Sequence, residues 1–221
     1  MVDPNDIPTK FTLKDIGLEA MFLLNLDRRP DRLKHAAQQF ESIRLDGVKR
    51  WPAVDANALG LKSMIDGISP GMVGCYKSHR DIMKHCLDNN INSYIVFEDD
   101  LMFIPRFNDF VELAFSVVPP DWEFIYLGCT EHKNGQPQKF INEFWVVPNS
   151  VWGTQCFMIR GRSAIQKIYD ALDQMQMQID CQLSQIVLRG NGIKYYSIYP
   201  ITVGQLYELE SDIQEREQKI T

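Results

Sequence analysis

The sequence predicts an α/β fold, in which helices flank a mostly parallel sheet and a small antiparallel part extends it. Continuous apolar runs occur at 20–26, 94–97 and 124–127, and such runs are typical of strands buried on both faces. Segments with apolar residues at helical spacing separate these runs. This alternation indicates parallel strands joined by helical crossovers, which bind ligands at the carboxyl ends of the strands.

The elements follow in a simple order through the first 127 residues. The expected series is strand 20–26, helix 30–43, strand 48–54, loop 59–69, helix 71–87, strand 94–97, helix 107–117 and strand 124–127. Pro30 suits the first turn of its helix, and two consecutive prolines, Pro119 and Pro120, end the helix at 107–117.

The pattern changes in the second half of the chain. Strand-like runs at 140–147 and 152–159 surround a break at 148–150, which indicates the antiparallel part. The remaining expected elements are helices at 163–175 and 179–188, a strand at 193–199 and a charged helix or tail at 208–219. We expect one domain over 1–221, with a loose leader at 1–18, the core at 19–205 and a charged end at 206–221.

Composition and charge narrow the class of protein. The chain has 221 residues and a net charge of -6, which disfavours non-specific binding to nucleic acid or anionic membranes. Five scattered cysteines without a CxxC pair argue against a disulfide framework and a zinc knuckle, and favour a cytoplasmic location. The polar start does not resemble a signal peptide, and no apolar run approaches the roughly 20 residues that span a bilayer.

Three consecutive carboxylates follow the apolar run at 94–97. If the strand continued, Glu98 and Asp100 would share one face and Asp99 would lie on the other. Two carboxylates at a strand end can share Mg²⁺ or Mn²⁺ and leave coordination positions for a diphosphate. The alternative is a solvated acidic turn.

Two further segments place phosphate-binding groups near strand ends. Arg28, Arg29 and Arg32 follow the first strand, and guanidinium groups suit phosphates. The alternative for these arginines is an exposed first helical turn. In the helix at 71–87, glycines allow a close backbone approach to a ligand. The alternative for His79 in that helix is a hydrogen-bonded structural residue.

These segments together resemble glycosyltransferase family 25. The matching pieces are LLNLDRRPDR (23–32), WPAVDA (51–56), GMVGCYKSHR (71–80), IVFEDDL (95–101), IYLG (125–128) and WGTQCFMIRGRSA (152–164), with looser matches at 179–183 and 205–213. The resemblance implies a GT-A fold, a Rossmann-like nucleotide-binding sheet joined to an acceptor-binding part. It also implies a hexosyltransferase, most often a galactosyltransferase, that uses a UDP-sugar and Mn²⁺ or Mg²⁺.

The resemblance also implies roles for individual residues. Asp100 would bind the metal directly, and Glu98 would assist through the metal or the donor ribose. The remaining donor-site residues would be Asn25, Asp27, Arg28, Asp55, Ser78, His79 and Asp99. The acceptor would be a glycan, a lipooligosaccharide or a protein-linked acceptor.

Family members of this type invert the anomeric centre, which requires a carboxylate base. Asp180 is the candidate base, with a helix N-cap as its alternative role, and Asp212 is a second candidate. Many GT-A enzymes use a late histidine as a metal ligand, but no histidine follows His132. Gln205 or water could take that position.

Two other functions stay open at this point. A nucleotidyltransferase or phosphohydrolase could use the same carboxylates, although the first strand lacks the Gly-rich loop that such nucleotidyltransferases usually carry. A non-catalytic nucleotide-sugar-binding module could keep the fold without the chemistry.

Overall fold

A computed structural model describes residues 9–131, 139–149 and 151–206. The strands are β1 (Ala20–Asn25), β2 (Lys49–Pro52), β3 (Ser93–Glu98), β4 (Leu101–Phe103), β5 (Phe124–Glu131), β6 (Lys139–Phe140), β7 (Trp145–Val147), β8 (Val151–Arg160), β9 (Tyr195–Ile198) and β10 (Val203–Gln205). The longer helices are α1 (Pro30–Ser42), α2 (Pro70–Asp88), α3 (Phe107–Ser116) and α4 (Arg162–Ala171). A helical segment follows, with α5 (Ile179–Gln182), a π-helical turn (Leu183–Val187) and α6 (Leu188–Gly190).

Eight strands form the main sheet in the order β2-β1-β3-β8-β5-β9-β7-β6, and β4 pairs with β10 in a separate ribbon. Only β7 and β8 oppose the direction of the other strands of this sheet. This confirms the predicted α/β class with a mostly parallel sheet. The antiparallel pairing predicted for 152–159 is confirmed, but β8 lies in the middle of the sheet between β3 and β5 and not in a peripheral extension.

Alternate residues of β3 pack into two different cores, which explains its continuous apolar run. Tyr94 and Val96 face a core shared with α2 and α4. Ile95 and Phe97 face a second core shared with α1 and α3. The sheet therefore has helices on both faces, and the side chains at its strand ends can turn toward a ligand.

The predicted helices and buried strands are found, with three differences elsewhere. The run at 140–147 is a hairpin of β6 and β7, and the short strands β4 and β10 were not predicted. The described part of the expected loose leader is packed, since Leu13 is buried in the core and the Thr9 amide donates to Asp109. The charged segment 208–219 lies outside the described residues.

The longest helix, α2, begins with a clear capping arrangement. The Ser69 hydroxyl accepts a hydrogen bond from the Met72 amide, and Pro70 occupies the first turn. Among the described residues, no helix combines the length and apolar character that crossing a membrane requires.

Candidate functional site

A pocket opens at the carboxyl ends of β1 and β3, beside the start of α2 and the segment after β2. Its lining residues are Leu24, Asn25, Leu26, Arg28, Arg32, Ala53, Val54, Asp55, Ala56, Asn57, Gly71, Cys75, Ser78, Glu98, Asp99, Asp100 and Gln205. Four of these side chains carry carboxyl groups and two carry guanidinium groups. The predicted residues Asn25, Arg28, Asp55, Ser78, Glu98, Asp99 and Asp100 therefore meet in one place.

The three consecutive carboxylates do not alternate as the sequence suggested. β3 ends at Glu98, and Asp99 and Asp100 lie in the turn before β4. Because a turn has no two-residue periodicity, each of the three side chains has its own set of partners, and all three line the pocket.

Asp99 is held by the end of β1 and by α1. Its Oδ2 accepts a hydrogen bond from Asn25 Nδ2 at 2.7 Å, and its Oδ1 accepts from Arg32 Nη1 at 2.9 Å. Burial raises the pKa of Asp99 despite the opposing effect of the Arg32 charge. Asn25 is itself fixed, since Arg50 Nε donates to its Oδ1 at 2.9 Å. These hydrogen bonds fix the positions of Asp99 and Asn25 in the lining of the pocket.

Asp100 is buried but only partly hydrogen-bonded. Its Oδ2 accepts from Gln205 Nε2 at 2.9 Å and lies 3.3 Å from Arg32 Nη1. Among the described residues, its Oδ1 is buried without a hydrogen-bond partner. Burial and the neighbouring Glu98 charge raise the pKa of Asp100 to about 6. A buried carboxylate oxygen without a donor is costly, and a cation would satisfy it.

Glu98 turns toward α2 and β8. Its Oε1 accepts from the Thr154 hydroxyl at 2.6 Å, lies 3.2 Å from His79 Nε2, and lies 3.8 Å from the Cys75 thiol. Burial works to raise the pKa of Glu98, but the His79 and Thr154 hydrogen bonds outweigh it, so the pKa is lowered. Burial, followed by the charges of Glu98 and Asp180, raises the pKa of Cys75 well above its usual range.

One wall of the pocket is formed by the chain after β2. Arg28 Nε donates to Asp55 Oδ2 at 2.7 Å, and the Ala58 amide and Arg28 lower the pKa of Asp55. The Ser78 hydroxyl accepts from the Val54 amide at 2.8 Å and donates to the Gly74 carbonyl at 2.7 Å. Ser78 therefore ties this wall to α2.

Three predicted residues do not line the pocket. Asp27 is exposed and forms an ion pair with Arg50. His79 lies behind Glu98 and stacks on Phe157, with ring centroids 5.3 Å apart. Asp180, at the start of α5, accepts hydrogen bonds from the Gly153 and Cys181 amides, both at 2.7 Å.

Asp212, the second candidate base, lies outside the described residues. Gln205, the candidate for the missing late histidine, contacts Asp100 directly. The role of each predicted site residue, including Asp180 as the base, stays a prediction.

Sequence reasoning did not single out Thr154 or Gln155 of β8. Thr154 orients Glu98, while Gln155 Nε2 lies 3.4 Å from Gln205 Oε1. The Gln155 Oε1 is buried and has no partner in the described part of the chain. The sequence signal that could have identified them is the presence of two polar residues inside the apolar strand at 152–159. A polar pair in a core strand is unusual unless it faces a polar site.

The residues present fit a hard divalent cation. Asp100 offers a carboxylate oxygen that has no partner among the described residues. Gln205 donates a hydrogen bond to the other oxygen of Asp100, and Gln155 in turn contacts Gln205. Oxygen donors of this kind suit Mg²⁺ or Mn²⁺. The excess of carboxylates would also repel a diphosphate in the absence of a cation.

Comparisons with known proteins agree with this architecture. The chain is 28% identical to human procollagen galactosyltransferase 2 over 145 residues, which is 57% of this chain and 23% of that protein. It is 30% identical to Danio rerio procollagen galactosyltransferase 1 over 146 residues, which is 57% of this chain and 24% of that protein. The chain therefore matches about a quarter of the length of these relatives.

A solved structure of a glycosyltransferase involved in glycosylation of the major capsid of PBCV-1 is similar in fold. Its TM-score is 0.51 at 6% identity, covering 86% of this chain and 94% of that chain. The likeness confirms the predicted GT-A fold. The family described as "Glycosyltransferase family 25 (LPS biosynthesis protein)" matches residues 19–183, and the chain belongs to glycosyltransferase family 25.

Proposed function

We propose that this chain is a metal-dependent hexosyltransferase that transfers galactose from a UDP-sugar to a glycan, lipooligosaccharide or protein-linked acceptor, with inversion. The observation that carries the proposal is Asp100, a buried carboxylate in a pocket at the carboxyl edge of a GT-A sheet. Within the part of the chain that the structure describes, its Oδ1 has no hydrogen-bond partner. The galactosyltransferase names of the relatives support galactose as the first donor to test.

The chain's own residues would hold the donor in the pocket. Asp100 would be the direct ligand of Mn²⁺ or Mg²⁺. Glu98 would assist through the metal or the donor ribose, and Gln205 holds Asp100 by a hydrogen bond. A bound divalent cation neutralises charge that develops on a departing diphosphate. Arg28, at the pocket wall, is placed to contact a phosphate or the ribose, and Asp55 holds its guanidinium group.

Inversion requires a base on the acceptor side. We assign this role to Asp180, which would accept the proton of the acceptor hydroxyl while the sugar leaves from the opposite face. Two backbone amides orient its carboxylate. Its charge is one of those that, after burial, raise the pKa of Cys75, which lines the pocket. The acceptor would be a glycan, a lipooligosaccharide or a protein-linked acceptor.

A donor screen tests the proposal. Purified protein is incubated with UDP-, GDP- and other nucleotide sugars, with and without Mn²⁺, and the released nucleoside diphosphate is measured. We expect release from UDP-galactose that depends on the cation. Turnover of nucleoside triphosphates instead would favour a nucleotidyltransferase, and cation binding without turnover of any donor would favour a binding module.

A further inference from the structure

Three potential metal-binding atoms converge at the edge of the pocket, which two of their residues line. Cys75 and His79 lie four residues apart on α2 and so project from the same side of the helix toward Glu98 at the end of β3. The Cys75 Sγ, His79 Nε2 and Glu98 carboxylate oxygen all lie within 4.8 Å of one another. The separations from Glu98 Oε1 are 3.8 Å for Sγ and 3.2 Å for Nε2.

These separations are close to those of ligands around one tetrahedral ion. Zinc lies about 2.0–2.3 Å from nitrogen, oxygen and sulfur ligands, which places such ligands roughly 3.3–3.7 Å from each other. We propose that Cys75, His79 and Glu98 form a binding site for a thiophilic divalent cation, Zn²⁺ in the first instance. This site differs from the oxygen-donor site at Asp100 in two of its ligands, Cys75 and His79, and shares Glu98 with it.

The ligand types determine which ion is selected. A thiolate and an imidazole favour Zn²⁺ over Mn²⁺ or Mg²⁺, which prefer oxygen ligands. On binding, Cys75 releases its thiol proton to solvent, and a bond forms between its sulfur and the ion. The thiolate and the Glu98 carboxylate together balance the two positive charges of the ion, so the buried cluster becomes neutral.

Access and support for the ion are both present. Cys75 and Glu98 line the pocket, so the ion can enter from that side and keep a water as its fourth ligand. The Thr154 hydroxyl donates to Glu98 Oε1 at 2.6 Å, and a hydrogen bond of this kind fixes the orientation of a ligating carboxylate.

The site has a consequence that rests on the proposed function. Glu98 would be shared between the two cation sites, so Zn²⁺ at Cys75 and His79 would draw the Glu98 carboxylate away from the donor side. Zinc would then inhibit sugar transfer even when Mn²⁺ is present in excess.

Cobalt and zinc titrations test the binding site without relying on activity. Co²⁺ bound to a thiolate gives a near-ultraviolet charge-transfer band, and calorimetry measures Zn²⁺ affinity. We expect the band in the wild type and in Cys181→Ser, a matched control at the other half-buried thiol. Cys75→Ser should lose the band, and its Zn²⁺ affinity should fall by at least about 100-fold, since even outer-shell losses cost 10–100-fold.

The absence of the thiolate band in the wild type, or its persistence in folded Cys75→Ser, would overturn the proposal. His79→Asn provides a second variant if Cys75→Ser does not fold, and it should weaken Zn²⁺ binding while the band shifts or disappears. An unchanged Zn²⁺ affinity and band in folded His79→Asn would also overturn it. A cobalt band without UDP-sugar turnover would refute the proposed function alone, whereas turnover without the band would refute the zinc site alone.

Discussion

Asp100 is the residue of the pocket on which the proposed metal site depends. One of its oxygens contacts Gln205 and Arg32, while the other is buried with no partner among residues 9–131, 139–149 and 151–206. Asp100→Asn keeps the size of the side chain and removes its charge. We expect sugar transfer to fall by at least about 100-fold, equivalent to roughly 2.7 kcal/mol of transition-state stabilisation.

The matched control for Asp100→Asn is Asp88→Asn, the same change at an exposed residue that pairs with Lys84 at the end of α2. Released UDP is measured for both variants under saturating Mn²⁺. Equal activity of Asp100→Asn and the wild type would remove Asp100 from the proposed metal site.

The raised pKa of Asp100 also predicts an effect on stability without metal. Burial and the Glu98 charge move this pKa from 3.8 to about 6, so the folded state binds more protons than the unfolded state between these values. The contribution of Asp100 to the stability of the metal-free protein should therefore fall as the pH rises from 4 to 6, by up to about 3 kcal/mol.

Asp100→Asn should remove that loss and be more stable than the wild type at pH 7 in the presence of a chelator. Denaturant unfolding of both proteins at pH 5 and pH 7 measures the difference. A wild type more stable than the variant at pH 7 would show that the Asp100 carboxylate is well compensated without a cation.

Helix α2 approaches the pocket wall so closely that it needs a glycine. A Cβ on Gly74 would lie 2.3 Å from the Val54 carbonyl oxygen and 3.4 Å from the Ala56 amide. Gly74→Ala should therefore push the segment after β2 away from α2. We expect a loss of about 1–3 kcal/mol in unfolding free energy and weaker UDP binding.

Gly190→Ala is the control for this change, because its Cβ would meet nothing within 4 Å. Thermal unfolding and calorimetric UDP titration of both variants provide the comparison. Unchanged UDP affinity in folded Gly74→Ala would mean that the wall does not contribute to the donor pocket.

The helices and strands with strong hydrophobic periodicity were predicted correctly. The features that depend on strand pairing between distant segments were not. α1, α2 and α3 show apolar residues at helical spacing, and β1 and β3 show apolar runs facing two cores. The strand β8 was recognised, but its place depends on pairing with residues 59–67 positions earlier in β3 and 20–35 positions earlier in β5. β4 and β10 have three residues each, too few to show alternation.

The site was partly predictable, because some of its residues belong to local sequence patterns and others are brought in by distant segments. Glu98, Asp99 and Asp100 are adjacent in sequence and follow a recognisable strand, and Asn25 and Asp55 were placed through the family resemblance. Thr154 and Gln155 come from a strand whose neighbours the sequence does not specify. The Cys75, His79 and Glu98 cluster needs α2 to pack against β3, so a search for CxxC pairs could not find it.

At the scale of the whole molecule, donor and cation binding should be coupled. The pocket presents four carboxyl groups against two guanidinium groups, so a diphosphate alone meets repulsion. UDP and Mn²⁺ together should satisfy Asp100 and remove that repulsion. A ligand at 100 times its dissociation constant stabilises the folded state by about 2.7 kcal/mol, which corresponds to roughly 5–10 °C for a domain of this size.

Thermal denaturation of the wild type with UDP, Mn²⁺ or both measures this coupling. We expect the combined shift to exceed the sum of the separate shifts, because each ligand lowers the electrostatic cost of binding the other. Asp100→Asn should lose the excess, while Asp88→Asn should retain it. An equal UDP-induced shift with and without Mn²⁺ would contradict the coupling, since it would show that Arg28 and Arg32 alone offset the carboxylates around the diphosphate.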